Sequence, residues 1–263
     1  MLIDFHTHAF PDRIATNAVE KLSYVGGGMK PQTNGTISSL KEEMKKDGVD
    51  ISVVQNIATS PKQQHNVNDF AIEIDRDPTL VGFGSVHPDA PNWQEELERL
   101  HAAGIKGIKL HPEYQSFYVD DPKMKPIYKK ISELGFITLF HAGQDYGYPP
   151  PYHCMPENML RALKWFDSPV IAAHWGAAGY GEMVIDKLCG ENIYFDLAFG
   201  YCAMPKCIAQ TIVDRHGTDR LLFASDMPWH RPEWELRLIN TLDLSESDRE
   251  KILCGNAKML LGI

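Results

Sequence analysis

Eight short apolar runs rich in β-branched and aromatic residues recur along this chain, and a stretch of helical character follows each one. The runs lie within 2–8 (LIDFHTH), 50–58 (DISVVQNIA), 80–87 (LVGFGSVH), 105–111 (IKGIKLH), 136–141 (FITLFH), 169–174 (PVIAAH), 193–199 (IYFDLAF) and 220–226 (RLLFASD). Helices are expected over 13–22, 36–46, 64–75, 93–103, 122–134, 157–166, 181–188 and 204–216, with Gly48, Gly104 and Gly135 just past three of the ends. A last helical stretch, 233–261, breaks near 243–247. Strands buried on both faces and joined by right-handed helical crossovers make a parallel sheet. Eight such units in 263 residues favour closure into a (β/α)8 TIM-like barrel over an open, doubly wound sheet. No GxGxxG follows any strand, which also argues against a dinucleotide fold. Neither a repeat beyond the alternation nor a boundary is visible, so residues 1–263 are expected to form a single domain.

Charge and composition restrict the partner. A formal net charge of −9 without any cluster of Lys or Arg argues against nucleic acid and against an anionic membrane surface. No apolar run approaches the ~20 residues of a membrane span, and the chain enters its first strand too early for a signal-peptide pattern. The five cysteines are odd in number and lack CxxC spacing, which suits buried, reduced thiols in a cytoplasmic protein. A small-molecule substrate is the remaining partner, with self-association into a homo-oligomer left open.

In such barrels the active site forms at the C-terminal ends of the strands, and this chain places polar side chains there repeatedly. The first run ends in His6 and His8, the second in Asn56, the third in His87, the fourth in Lys109 and His111, and the fifth, sixth and eighth in His141, His174 and Asp226. Alternation puts Asp4, His6 and His8 on one face, with Asp4 a candidate acceptor behind the imidazoles or an interior pair. Taken alone, the His-x-His pair fits either a metal or a hydrogen-bonded polar core; histidines at five strand ends favour the metal. On the fourth strand Gly107, Lys109 and His111 share one face, and Ile108 and Leu110 the other. Asp226, expected to be buried, must be paired or metal-bound. Three imidazoles and one carboxylate (His6, His8, His141, Asp226) suit one divalent ion, zinc first and manganese second. Such an ion lowers the pKa of its water to about 7.

Other residues have two readings each. Trp175, Tyr201, Trp229, His230 and Arg231 follow strands six to eight, where they form either a pocket wall or ordinary packing. Arg231 either grips a substrate carboxylate or pairs at the surface. The glycine-rich stretch 25–35 is a lid or a plain loop, and the stiff stretch 146–152 (YGYPPPY) shapes the mouth or contacts another subunit.

The ordered segments DFHTH (4–8), GIKLHP (107–112), HAG (141–143), AHWG (173–176), FASDMP (223–228) and the ending GNAKMLL (255–261) resemble the amidohydrolase superfamily, in the branch that includes aminocarboxymuconate-semialdehyde decarboxylase. The resemblance spans almost the whole chain. It implies a distorted (β/α)8 barrel, ligation of one metal by His6, His8, His141 and Asp226, and a role for His174 on the water or the substrate. With one metal, Lys109 or His111 is a polar substrate contact; otherwise Lys109 pairs with a buried acid such as Asp4, or is carbamylated and bridges two metals as in some superfamily members. The expected activity is hydrolysis of a lactone, ester or amide of a small, anionic substrate, with Asp226 and His174 catalytic and Lys109, His111, Arg231 and Trp175 binding substrate. The alternative is non-oxidative decarboxylation of a small unsaturated or aromatic carboxylate on the same metal.

Overall fold

All eight expected strands form, each shorter than its apolar run. They are β1 (Ile3–Thr7), β2 (Ile51–Gln55), β3 (Leu80–Phe83), β4 (Gly107–Leu110), β5 (Ile137–Phe140), β6 (Val170–Ala172), β7 (Tyr194–Asp196) and β8 (Leu221–Leu222). The computed structural model describes residues 1–263. Two helices, α1 (Asp12–Val25) and α2 (Ile37–Asp47), separate β1 from β2. Then come α3 (Gln64–Ile74), α4 (Trp93–Ala102), α5 (Lys125–Glu133), α6 (Pro156–Ala162), α7 (Gly181–Lys187) and α8 (Lys206–His216), one after each of β2 to β7. Helices α9 (Pro232–Ile239), α10 (Glu246–Glu250) and α11 (Asn256–Leu261) follow β8. Helix α1 runs three residues past its expected end, and the C-terminal break falls at 240–245, slightly earlier than the pattern indicates. The start of α2 is set by Thr36, whose hydroxyl accepts from Ser39 N, and its end by Gly48 in the left-handed region at φ 73°.

Strands β1 to β3 and β4 to β8 pair in parallel in sequence order. Hydrogen bonds join these two arcs into a barrel at both seams. Gly84 N donates to Gly107 O and Lys109 N to Gly84 O between β3 and β4; Phe5 N donates to Phe223 O, Asp226 N to His6 O and His8 N to Met227 O between β8 and β1. The two faces of each strand pack into separate cores, as alternation requires. Val54, Ile108, Leu110, Phe140, Ala172 and Leu221 belong to the large outer core against the helices. Ile3, Phe5, Val53, Phe83, Leu139, Ile171 and Leu222 fill the barrel with Cys254, Ala257 and Leu261 from the C-terminal helices. Residues 259–262 meet the segments that lead into β4 and β5, so α11 covers the N-terminal end of the barrel and leaves the other end for the site.

Strict alternation fails at the functional end. The β1–β2 register slips by one residue between Asp4, opposite Ser52, and Thr7, opposite Val54. Four non-glycine residues there are left-handed: His174 (φ 60°), Trp175 (59°), Phe199 (65°) and Asp226 (66°). Such positions cost roughly 1–3 kcal/mol each and cluster at active sites.

Candidate metal centre and active-site cavity

His6, His8 and Asp226 converge. His6 Nε2 lies 3.2 Å from His8 Nε2, and Asp226 Oδ1 is 3.1 Å from His8 Nε2 and 3.5 Å from His6 Nε2. The second nitrogen of each ring fixes its tautomer. His6 Nδ1 donates to Asp196 Oδ2 at 2.8 Å, and His8 Nδ1 donates to the Gln55 carbonyl at 2.8 Å. With those tautomers both Nε2 atoms turn lone pairs towards each other and towards a carboxylate, and Lys109 Nζ donates to His6 Nε2 at 3.1 Å. Burial holds the His6 pKa well below the ordinary value. Burial would raise the Asp226 pKa, but the surrounding charge, the Lys109 ammonium included, draws it below the ordinary carboxylate value. Three mutually repelling donors call for a cation. Two ligands of a tetrahedral ion with bonds of ~2.0–2.1 Å sit about 3.3 Å apart, close to each side of this triangle. The residues fit a divalent ion.

The remaining strand-end histidines form a file beside the triangle. His174 packs face to face with His6 at 5.2 Å between centroids, His141 lies 4.9 Å from His174, and His111 stacks on His141 at 4.3 Å. His141 Nδ1 and His174 Nε2 share a hydrogen bond of 3.1 Å, while His141 Nε2 and His174 Nδ1 are buried without a partner. His141, expected as the fourth ligand, thus groups with His111 and Asp145 rather than with the triangle. When His141 is the donor in that bond, its Nε2 is proton-free and available to a ligand. Lys109 is fully buried on β4, with Nζ 3.1 Å from His6 Nε2. Burial lowers its pKa to about 8 against the opposing pull of Asp196 and Asp226. His111 receives the Tyr114 amide on Nδ1, has Nε2 3.3 Å from Asp145 Oδ2, and is covered by the Tyr114 ring at 3.7 Å.

Two expected substrate contacts lie elsewhere. Arg231 is bound to Asp47 at 2.8 Å and Glu43 at 3.3 Å, an ion-pair cluster on α2 that consumes its charge. Trp175 is 1% exposed and packs in the outer core, its indole nitrogen against Gly200. Its left-handed backbone turns it away from the cavity. Asp4 is not the acceptor behind His6: both of its oxygens take Ser225, and burial raises its pKa to about 7. Asp196 on β7 holds His6 instead, and its other oxygen accepts from the amides of His174 and Ala198. The one signal for it in the sequence is a single acid inside the apolar run 193–199. Asp145 and Tyr114, in loops after β5 and β4, carried no signal at all.

A cavity of about 720 Å3 opens above these groups. Its polar end holds His6, His8, Lys109, His111, His141, His174 and Asp226, and its walls include Phe10, Tyr114, Tyr146, Tyr148, Phe199 and Trp229. Stretch 146–152 therefore contributes to the mouth. The stretch beyond α1 supplies Gly26 and Met29 to the wall and is tied down by Ser23 Oγ to Met29 O and Gln32 N to Pro228 O.

The amidohydrolase family model matches residues 3–263. Among solved structures, a TIM-barrel protein from Bordetella bronchiseptica aligns over 99% of this chain and 98% of its own at 19% identity and TM-score 0.79. A dihydroxybenzoic acid decarboxylase from Polaromonas sp. JS666, with manganese and the inhibitor 2-nitroresorcinol, aligns over 99% and 96% at 16% identity and TM-score 0.73. A probable 2-pyrone-4,6-dicarboxylic acid hydrolase from Acinetobacter baumannii, with citric acid bound, aligns over 100% and 99% at 19% identity and TM-score 0.70. At these identities the likeness is one of fold.

Proposed function

The chain belongs to the amidohydrolase family and is an enzyme of amidohydrolase type, and from that premise we propose that it hydrolyses a lactone, ester or amide bond of a small-molecule substrate. The observation that carries this reading is the triangle of proton-free donors from His6, His8 and Asp226 at the cavity floor. His6, His8 and Asp226 would hold one divalent ion, with His141 Nε2 the further donor. The nitrogen-rich set suits zinc first and manganese second. Such an ion polarises a carbonyl and acidifies water when bound.

The protein groups divide the remaining work. Asp196 fixes the His6 ring, and the Gln55 carbonyl fixes His8. Asp226, ionised, accepts the proton of the attacking water and returns it to the leaving group. His174 orients the nucleophile or stabilises developing negative charge, with its free Nδ1 as the contact. Lys109 supplies a buried positive charge for an anionic group on the substrate, and His111 a wall fixed by Asp145. The five unpaired cysteines fit a reducing compartment, and we place the enzyme in the cytoplasm. No helix is long and apolar enough to cross a membrane.

Lys109 also supports a second reading. A buried ammonium beside the candidate ligands is where a substrate carboxylate would dock before decarboxylation. Lactones, esters, amides and unsaturated or aromatic carboxylates, incubated in 18O-water with the metal-loaded protein, separate the two. We expect 18O in the organic product; carbon dioxide release without it would replace hydrolysis by decarboxylation.

A further inference from the structure

The cavity does not end at the polar groups. One stripe of α1, Ile14, Ala18, Leu22 and Val25, lines it at helical spacing. Ile57, Val67 and Phe70 line it from the β2 end and from α3. Along α1 the stripe spans 12 residues, roughly 16 Å. Of these side chains only Phe70 packs against the large core. Ile14 is 41% exposed and Val25 36%, while Leu22, Val67 and Phe70 are only partly covered. Ala15 and Val19, next to this stripe around the helix, are buried, so the apolar side of α1 is covered along one edge and lines the cavity along the other. The cavity volume falls in the range of ~300–1,000 Å3 that encloses a drug-sized ligand. A ring-sized substrate held at the polar end would leave the α1–α3 stripe wet.

We propose that this gallery binds an unbranched alkyl arm of the substrate, so that the enzyme acts on acyl or alkyl-substituted compounds whose reacting carbonyl sits at the polar end. The inference rests on the reading of that end as the reaction site, and it names the substrate class. An alkyl arm is the occupant because Ile14, Ala18, Leu22 and Val25 form a continuous apolar run along α1, with Arg13 and Lys21 of the same helix also in the wall, and this run is continuous with the cavity that holds the reacting groups. Near that floor the wall turns aromatic, with Tyr114 paired to Tyr148 and Tyr146 to Phe199.

The test is a homologous series of n-alkanoates, from acetate to decanoate, titrated calorimetrically into the zinc-loaded protein and into the chelated protein. The slope of log affinity against chain length reports the gallery, and the intercept reports the polar end. Affinity should rise about threefold to fourfold for each buried methylene until the gallery is full. Leu22→Gln and Val67→Gln, both at partly exposed helical positions, should flatten the slope in proteins that melt like the parent. A flat series in the parent, no binding at any length, or a slope unchanged in both variants overturns the proposal. The two readings fail separately. A chain-length slope with no turnover of any ester or lactone keeps the gallery and removes the hydrolase; turnover indifferent to chain length does the reverse.

Discussion

Asn in place of Asp196 tests how the candidate centre is held. Asp196 is fully buried, with Oδ1 accepting from the amides of His174 and Ala198 and Oδ2 from His6 Nδ1. An asparagine of the same shape keeps its carbonyl oxygen on the two amides, because they can only donate. Its NH2 group then faces His6 Nδ1, donor against donor. His6 can relieve that conflict by moving its proton to Nε2, which removes the lone pair from the triangle. Replacing the acceptor behind a ligating histidine costs roughly 10- to 100-fold in metal affinity, or about 1.4–2.7 kcal/mol. The fixed orientation of the asparagine places Asp196→Asn at the upper end. Asp4→Asn is the matched control, since Asp4 is equally buried but touches Ser225 and the His6 amide, not an imidazole. Competition against a chelator of known zinc affinity, with both variants checked for unchanged melting, gives the two constants. Metal affinity within a factor of about two of the parent in Asp196→Asn, or an equal loss in Asp4→Asn, would refute the tautomer argument.

Ligand replacements should rank in order: His6→Ala and Asp226→Ala lose most bound metal, His141→Ala less, and His174→Ala least while still abolishing turnover, as read by metal content per chain. Equal loss in His174→Ala and His6→Ala would reverse the assigned roles. His216 provides a pH test far from the centre, since its Nδ1 accepts from Gly190 N, its Nε2 donates to Ile193 O, and burial lowers its pKa to about 4. A folded value below the unfolded 6.5 means stability is present above pH 6.5 and lost as pH falls towards 4. Relative to His216→Gln, the parent should lose up to ~3 kcal/mol across that window in urea unfolding; parallel curves would contradict it. Glu235→Ala should destabilise by about 1–3 kcal/mol, because the amides of Gly200 and Tyr201 and the His230 ring all bond to this buried carboxylate. It should also raise KM, because Phe199 in that loop lines the cavity and stacks on His230 at 4.0 Å.

The eight-fold alternation and the polar strand ends were legible without coordinates, because both follow from local patterning. β-branched runs and helical spacing set the elements, and chain length with crossover handedness leaves few ways to close them. His6, His8 and Asp226 were legible for the same reason, since a polar side chain at the end of a doubly buried strand has few reasons to be there. What the tertiary structure decided are the contacts between strands that are distant in sequence. Asp196 took the place behind His6 for which Asp4 was one candidate, because the approach of β7 brings its carboxylate to Nδ1 while Asp4 bonds to Ser225. Arg231 looked like a substrate clamp, but α2 brings Asp47 and Glu43 to it across more than 180 residues. Trp175 was lost from the site through two successive left-handed residues after β6, a backbone choice that residue identity does not announce. The α1–α3 gallery was equally invisible: the broad apolar side of α1 reads as ordinary amphipathicity until its neighbours show which part is buried and which lines a cavity.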